Sequence, residues 1–163
     1  MSGPLATISV LVVDDEKLIA KLVRDVLTKL GFSAITTATS GREAIDLFRR
    51  KPFDMIITDW RMDDMDGMDL IRFVRHSSRS PNPRVPILLL TGNTEKKEVL
   101  FARDTGVTEY LIKPFSARQL VDRIKFVIEK PRSFVDSRDF RGPDRRRQSK
   151  PPHDGIEKRK RCA

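Results

Sequence analysis

Short β-branched runs alternate with stretches of helical period along the first 130 residues. Thr7 to Val13 (TISVLVV) predicts a strand, after which Leu18, Ile19, Leu22, Val23, Val26, Leu27 and Leu30 recur at the spacing of a buried helical stripe until Gly31 stops it. Ser33 to Thr37 predicts a second strand. Ser40-Gly41-Arg42-Glu43 has capping-box spacing and opens a helix through Phe48, closed by Pro52. Phe53 to Thr58 predicts a third strand, followed by an acidic loop and a helix carrying Met68, Leu70, Ile71, Phe73 and Val74. Val85 to Leu90 predicts the fourth strand, Thr94 to Thr105 a helix ended by Gly106, and Thr108 to Ile112 the fifth strand. Ser116-Ala117-Arg118-Gln119 caps a last helix whose buried face is Leu120, Ile124, Val127 and Ile128.

Five such repeats make an α/β fold of the (βα)5 kind. Strands so continuously apolar are buried on both faces, so the sheet is parallel, five-stranded and doubly wound, with right-handed crossovers. In sheets of this kind the functional crevice opens at the carboxyl ends of the strands. The residues just past each strand therefore decide the function.

The 163 residues, 39% of them apolar, suit one domain plus an appendage. No apolar run approaches the roughly 20 residues of a membrane span, and MSGPLATISV lacks a charged leader region and cleavage site. The expectation is a cytoplasmic protein with no transmembrane segment. The single cysteine, Cys162, carries no disulfide or redox argument. The net charge of +9 is uneven: residues 1–130 hold 21 Lys and Arg against 18 Asp and Glu, residues 131–163 hold 11 against 5. These shifts divide the chain into an N-terminal extension (1–6), a domain (7–130) and a basic tail (131–163) expected to be disordered.

Asp14 and Asp15 follow the first strand, Asp59 the third, Thr91 the fourth, and Lys113 with Pro114 the fifth. A calcium loop around Asp64, Asp66 and Gly67 fails on spacing, because its first and twelfth places fall on Met62 and Phe73. Taken singly, the strand-end residues have plain structural explanations: a helix cap for Asp14-Asp15, a turn for Asp59, a loop for Thr91, the surface for Lys113. Together they bring three carboxylates to one place, where they repel unless cations compensate them. One Mg2+ and Lys113 cancel the three negative charges, and magnesium suits a few carboxylates plus water and a phosphate oxygen.

VVDDE, IITDWRMDDMDG, LLLTG and YLIKPF resemble the four signature segments of response-regulator receiver domains, over roughly residues 7 to 130. The resemblance, which is to the chemotaxis type, implies the flavodoxin-like strand order 2-1-3-4-5. It also implies that Asp59 is the phosphoacceptor, that Asp14, Asp15, Asp59 and the Arg61 backbone carbonyl serve Mg2+, and that Thr91 and Lys113 bind the phosphoryl group. Tyr110 becomes a switch residue beside Thr91, and the Lys113-Pro114 bond is expected to be cis. Asp63 and Arg61 depart from the residues common at their places in the family.

The implied partners are a sensor histidine kinase or histidine phosphotransfer protein as donor and a downstream protein on the face of helix four, strand five and helix five. Neither His76 nor His153 looks like a donor. The implied role is a signalling switch or relay, not a turnover enzyme. A rival makes the tail the effector, its blocks Arg145-Arg146-Arg147 and Lys158 to Arg161 binding nucleic acid or an anionic membrane under control of the receiver.

Overall fold

The computed structural model describes residues 3–92 and 94–145. Strands β1 (Ser9–Val13), β2 (Ala34–Ala38), β3 (Met55–Asp59), β4 (Ile87–Thr91) and β5 (Glu109–Ile112) form one parallel sheet in the order β2-β1-β3-β4-β5. Helices α1 (Lys17–Leu30), α2 (Gly41–Arg50), α3 (Gly67–His76), α4 (Lys96–Thr105) and α5 (Ala117–Glu129) cross between and after them. The expected fold class and strand order are both present.

The period of two explains why the strands read as unbroken apolar runs. Val10 and Val12 of β1, Ile57 of β3 and Leu88 and Leu90 of β4 pack with Val23, Leu27 and Ile124 of α1 and α5. Their neighbours Leu11, Val13, Ile56, Ile87 and Leu89 pack on the opposite side with Phe48, Ile71, Val74 and Ala102 of α2, α3 and α4. Each layer buries one face, so alternate residues are apolar for different partners.

Helix ends follow the local chemistry. The Ser40 and Ser116 hydroxyls accept from the backbone N–H groups of Glu43 and Gln119. Gly31 and Gly106 end α1 and α4 at φ values of 105° and 116°, in the left-handed region that a side chain disfavours. Several boundaries shift by one or two residues from expectation, those of β1 and α4 among them. Pro4–Thr7 forms a 3-10 turn and β1 opens at Ser9, because Pro4 fixes a helical φ and the Ile8 N–H closes on the Leu5 carbonyl. α4 begins at Lys96, with Glu95 as its cap and Thr94 outside it.

The larger correction concerns the tail. Residues Phe134–Asp136 (β6) pair antiparallel with Arg141–Pro143 (β7), where the composition predicts disorder from 131 onward. The few aromatic residues there are held by arginines of the domain and hairpin. Arg75 and Arg84 lie 5.5 and 4.9 Å from the Phe134 ring, Arg145 lies 4.4 Å from the Phe140 ring, and Phe140 is buried. Arg75 of α3 is 0% exposed, and its guanidinium donates to the carbonyls of Gly106, Pro83 and Val85 at 2.9, 2.7 and 2.7 Å. Burial lowers its pKa to about 9, which leaves it protonated at neutral pH. The remainder of the expected tail, residues 146–163 with Arg146, Arg147 and Lys158 to Arg161, lies outside the described residues.

Candidate functional site

Strand register assembles the site. Val13 is level with Thr58, so Asp14 and Asp59 leave adjacent strands at the same height; Thr91 is level with Ile112, and Lys113 comes next. The Lys113 N–H donates to the Thr91 carbonyl at 2.8 Å, which ties the ends of β4 and β5 together.

Asp14 is 1% exposed, Asp59 and Thr91 are also buried, and Asp15 is exposed. Carboxylate oxygens of Asp14, Asp15 and Asp59 all lie within 4.8 Å of one another. The Lys113 ammonium stands 3.1 Å from Asp59 Oδ1 and 3.6 Å from Asp14 Oδ2. Asp59 Oδ1 also accepts from the Trp60 N–H, and Asp14 Oδ1 from the Glu16 N–H, both at 2.9 Å. Asp14 Oδ2 is buried without a hydrogen-bond partner. The Lys113–Pro114 peptide bond is cis.

Three carboxylates against one ammonium leave two negative charges uncompensated. Burial pushes the Asp14 pKa up to about 6; the Glu16 N–H and Lys113 oppose this, while the charges of Asp59 and Asp15 add to it. Burial also raises the pKa of Asp59, against the hydrogen bond and charge of Lys113. For Lys113, burial acts to lower the pKa but is outweighed by the hydrogen bond to Asp59 and the charges of Asp14 and Asp59, so it is raised. An orphaned buried carboxylate oxygen within a net-negative, all-oxygen cluster fits a hard divalent cation such as Mg2+.

The acidic loop divides its work. Asp66 caps α3 in a reciprocal box with Asp69, Asp69 pairs with Arg72, and Asp64 pairs with Arg42 at the surface. The Arg61 side chain reaches outward to Glu98 and lies 5.6 Å from the ring of Trp60, which is buried and stacks on Phe101. Tyr110 is half-buried in β5 and packs against the side of the core that faces α2, α3 and α4.

Gly67 has a role that the turn signal alone does not convey. Its N–H donates to the Trp60 carbonyl at 2.8 Å, and a Cβ there would collide with the Asp59 carbonyl oxygen. Gly67→Ala is therefore expected to displace the Asp59 backbone and to cost about 2 kcal/mol of stability, the scale of overpacking. Urea unfolding checks it, and an unchanged midpoint would contradict the close approach. Glu109 is absent from the residues that the sequence singles out, yet it is buried between Arg123 at 3.4 Å and Arg132 at 3.3 Å. An acidic residue opening an apolar strand is its only signal.

The response regulator receiver domain family matches residues 10–125. Chemotaxis protein CheY of Pseudomonas aeruginosa is 32% identical over 121 residues, spanning 74% of this chain and 96% of its own. Chemotaxis protein CheY-3 of Vibrio cholerae is 30% identical over 121 residues, spanning 74% and 92%. Among solved structures, CheY4 of Vibrio cholerae superposes with a TM-score of 0.68 at 34% identity, covering 75% of this chain and 99% of that one. A CheY-like receiver domain protein of Methanospirillum hungatei, at 22% identity and a TM-score of 0.67 over 75% and 94%, shares the fold.

Proposed function

The chain belongs to the response regulator receiver domain family, and from that premise we propose that it is a phosphorylation-controlled signalling switch whose acceptor is Asp59. The observation that supports this most directly is the Lys113 ammonium set between Asp59 and Asp14 where three carboxylates converge. A phosphohistidine of a sensor kinase or phosphotransfer protein is the donor. Asp59 Oδ1 is engaged by Trp60 and Lys113, which leaves the second oxygen to attack phosphorus. The new O–P bond forms as the donor N–P bond breaks, and the electron pair leaves with the imidazole nitrogen. Lys113 and the Thr91 hydroxyl hold phosphoryl oxygens, so the protein acts chiefly by alignment and charge neutralisation.

Asp14, Asp15, Asp59 and the Arg61 carbonyl would hold Mg2+, which supplies charge compensation for the carboxylates and the phosphoryl oxygens. Output passes through the surface of α4, β5 and α5 around Tyr110 by a shift between two populations. The protein is a switch or relay, not a turnover enzyme. Treating the full chain with acetyl phosphate and Mg2+, trapping the acyl phosphate with hydroxylamine and mapping the modified peptide tests the assignment. Modification at Asp59 supports it; modification confined to another carboxylate overturns it.

Magnesium should also stabilise the fold in a pH-dependent way. The folded pKa of Asp14, about 6, exceeds its ordinary 3.8, so the stability linked to its protonation is complete below about 3.8 and is lost as pH rises through 6. Above that pH the charged cluster gains most from a cation. At concentrations near 100 times Kd, Mg2+ should raise the melting temperature by roughly 5 °C at pH 7.5 and by little at pH 5. Melting curves at the two values check this; an equal gain at both would contradict it.

No helix among the described residues is long and apolar enough to cross a membrane. The rival reading, with the tail as effector, is tested by deleting residues 146–163, since a cut at 130 would also remove the β6–β7 hairpin. Phosphorylation-dependent partner binding that survives the deletion removes it.

A further inference from the structure

The β6–β7 hairpin lies beyond the residues matched by the receiver family, yet it is fitted against the domain. Gly142 of β7 packs on Gly106 at the end of α4 so tightly that a Cβ on Gly142 would stand 2.8 Å from the Gly106 Cα. A Cβ on Gly106 would in turn stand 3.0 Å from the Arg141 carbonyl oxygen. Two arginines flanking the hairpin grip different elements. Arg132 reaches Glu109 of β5 at 3.3 Å, and Arg145 reaches Asp104 of α4 at 3.0 Å. Both line a cavity of about 330 Å3 whose other walls include Leu100, Arg103, Val107 and Tyr110. Through Arg132 and Arg145, which share this cavity with Tyr110, the segment therefore holds β5 and α4 respectively.

These are the elements attached to the phosphoryl-binding groups. α4 comes after β4, which ends in Thr91, and β5 leads into Lys113. We propose that the C-terminal hairpin is an intramolecular strap that holds α4 and β5 at the spacing suited to an unmodified Asp59 and loosens when a phosphoryl group draws Thr91 and Lys113 together. This rests on the phosphoacceptor reading above. Because coupling between two sites is reciprocal, a strap loosened by the phosphoryl group must oppose its binding by the same factor.

The experiment uses the full chain with Mg2+, with and without beryllium fluoride as the phosphoryl mimic. Amide exchange is read at Ser137 and Asp144, whose N–H groups donate to the carbonyls of Phe140 and Ser133. Bound fluoride is read by 19F NMR. Exchange at these amides should speed up at least about five-fold on binding, the lower end of ordinary coupling. Arg132→Gln and, separately, Gly142→Ala should each bind the mimic more tightly than the parent chain. A bound-fluoride signal with hairpin exchange unchanged, or with mimic affinity unaltered in both variants, overturns the strap alone. Absence of any bound-fluoride signal overturns the phosphoacceptor reading and the coupling with it.

Discussion

Asp59→Asn is expected to reduce label uptake from acetyl phosphate in the presence of Mg2+ by at least about a thousand-fold, the scale on which loss of a nucleophile acts. The amide oxygen can still accept from the Trp60 N–H, so the backbone after β3 keeps its anchor. What disappears is the ionised oxygen proposed to attack phosphorus and one of the three carboxylate charges that would hold Mg2+. Burial already disfavours the charged form of Asp59, as its raised pKa records. The variant should therefore melt at the same temperature as the parent or higher when no metal is added. Label incorporation and melting, measured on the same preparation, separate lost chemistry from lost structure. Undiminished uptake by a folded variant would remove Asp59 from its role.

The largest effect on stability is expected at Arg75, far from that chemistry. Arg75→Ala should cost about 3–5 kcal/mol, the range seen when one member of a buried polar arrangement is deleted. Three carbonyls, those of Pro83, Val85 and Gly106, lose a shared charged donor in a place water does not reach. The Phe134 ring loses the guanidinium beside it, so the hairpin loosens as the domain weakens. Arg75→Met restores much of the volume without any donor and should recover only part of the loss. Denaturant midpoints of the two variants divide packing from hydrogen bonding, and a methionine variant as stable as the parent would show that the donors contribute little.

The sequence and the structure agree where the physical cause is local. Alternation in VLVV and ILLL, the caps Ser40 and Ser116, and the stops Gly31 and Gly106 each act within a few residues, so they can be read along the chain. The convergence of Asp14, Asp15, Asp59 and Lys113 comes from one topological rule applied to those local readings. The β6–β7 hairpin carries no such signal. Phe134 and Phe140 stand in a charged background that resembles disorder; Arg75 and Arg84, which hold the Phe134 ring, and Gly106, on which Gly142 packs, are distant in the chain. Arg75 itself reads as an ordinary basic residue in the last turn of a helix, where its charge suits the dipole. Nothing adjacent to it says that loops 83–85 and 106 will close over it.

The backbone bond from the Lys113 N–H to the Thr91 carbonyl couples the carboxyl ends of β4 and β5. A pull on the end of either strand is therefore passed to its neighbour. A substitution that displaces the end of β4 should be felt at Lys113 as well as at Thr91.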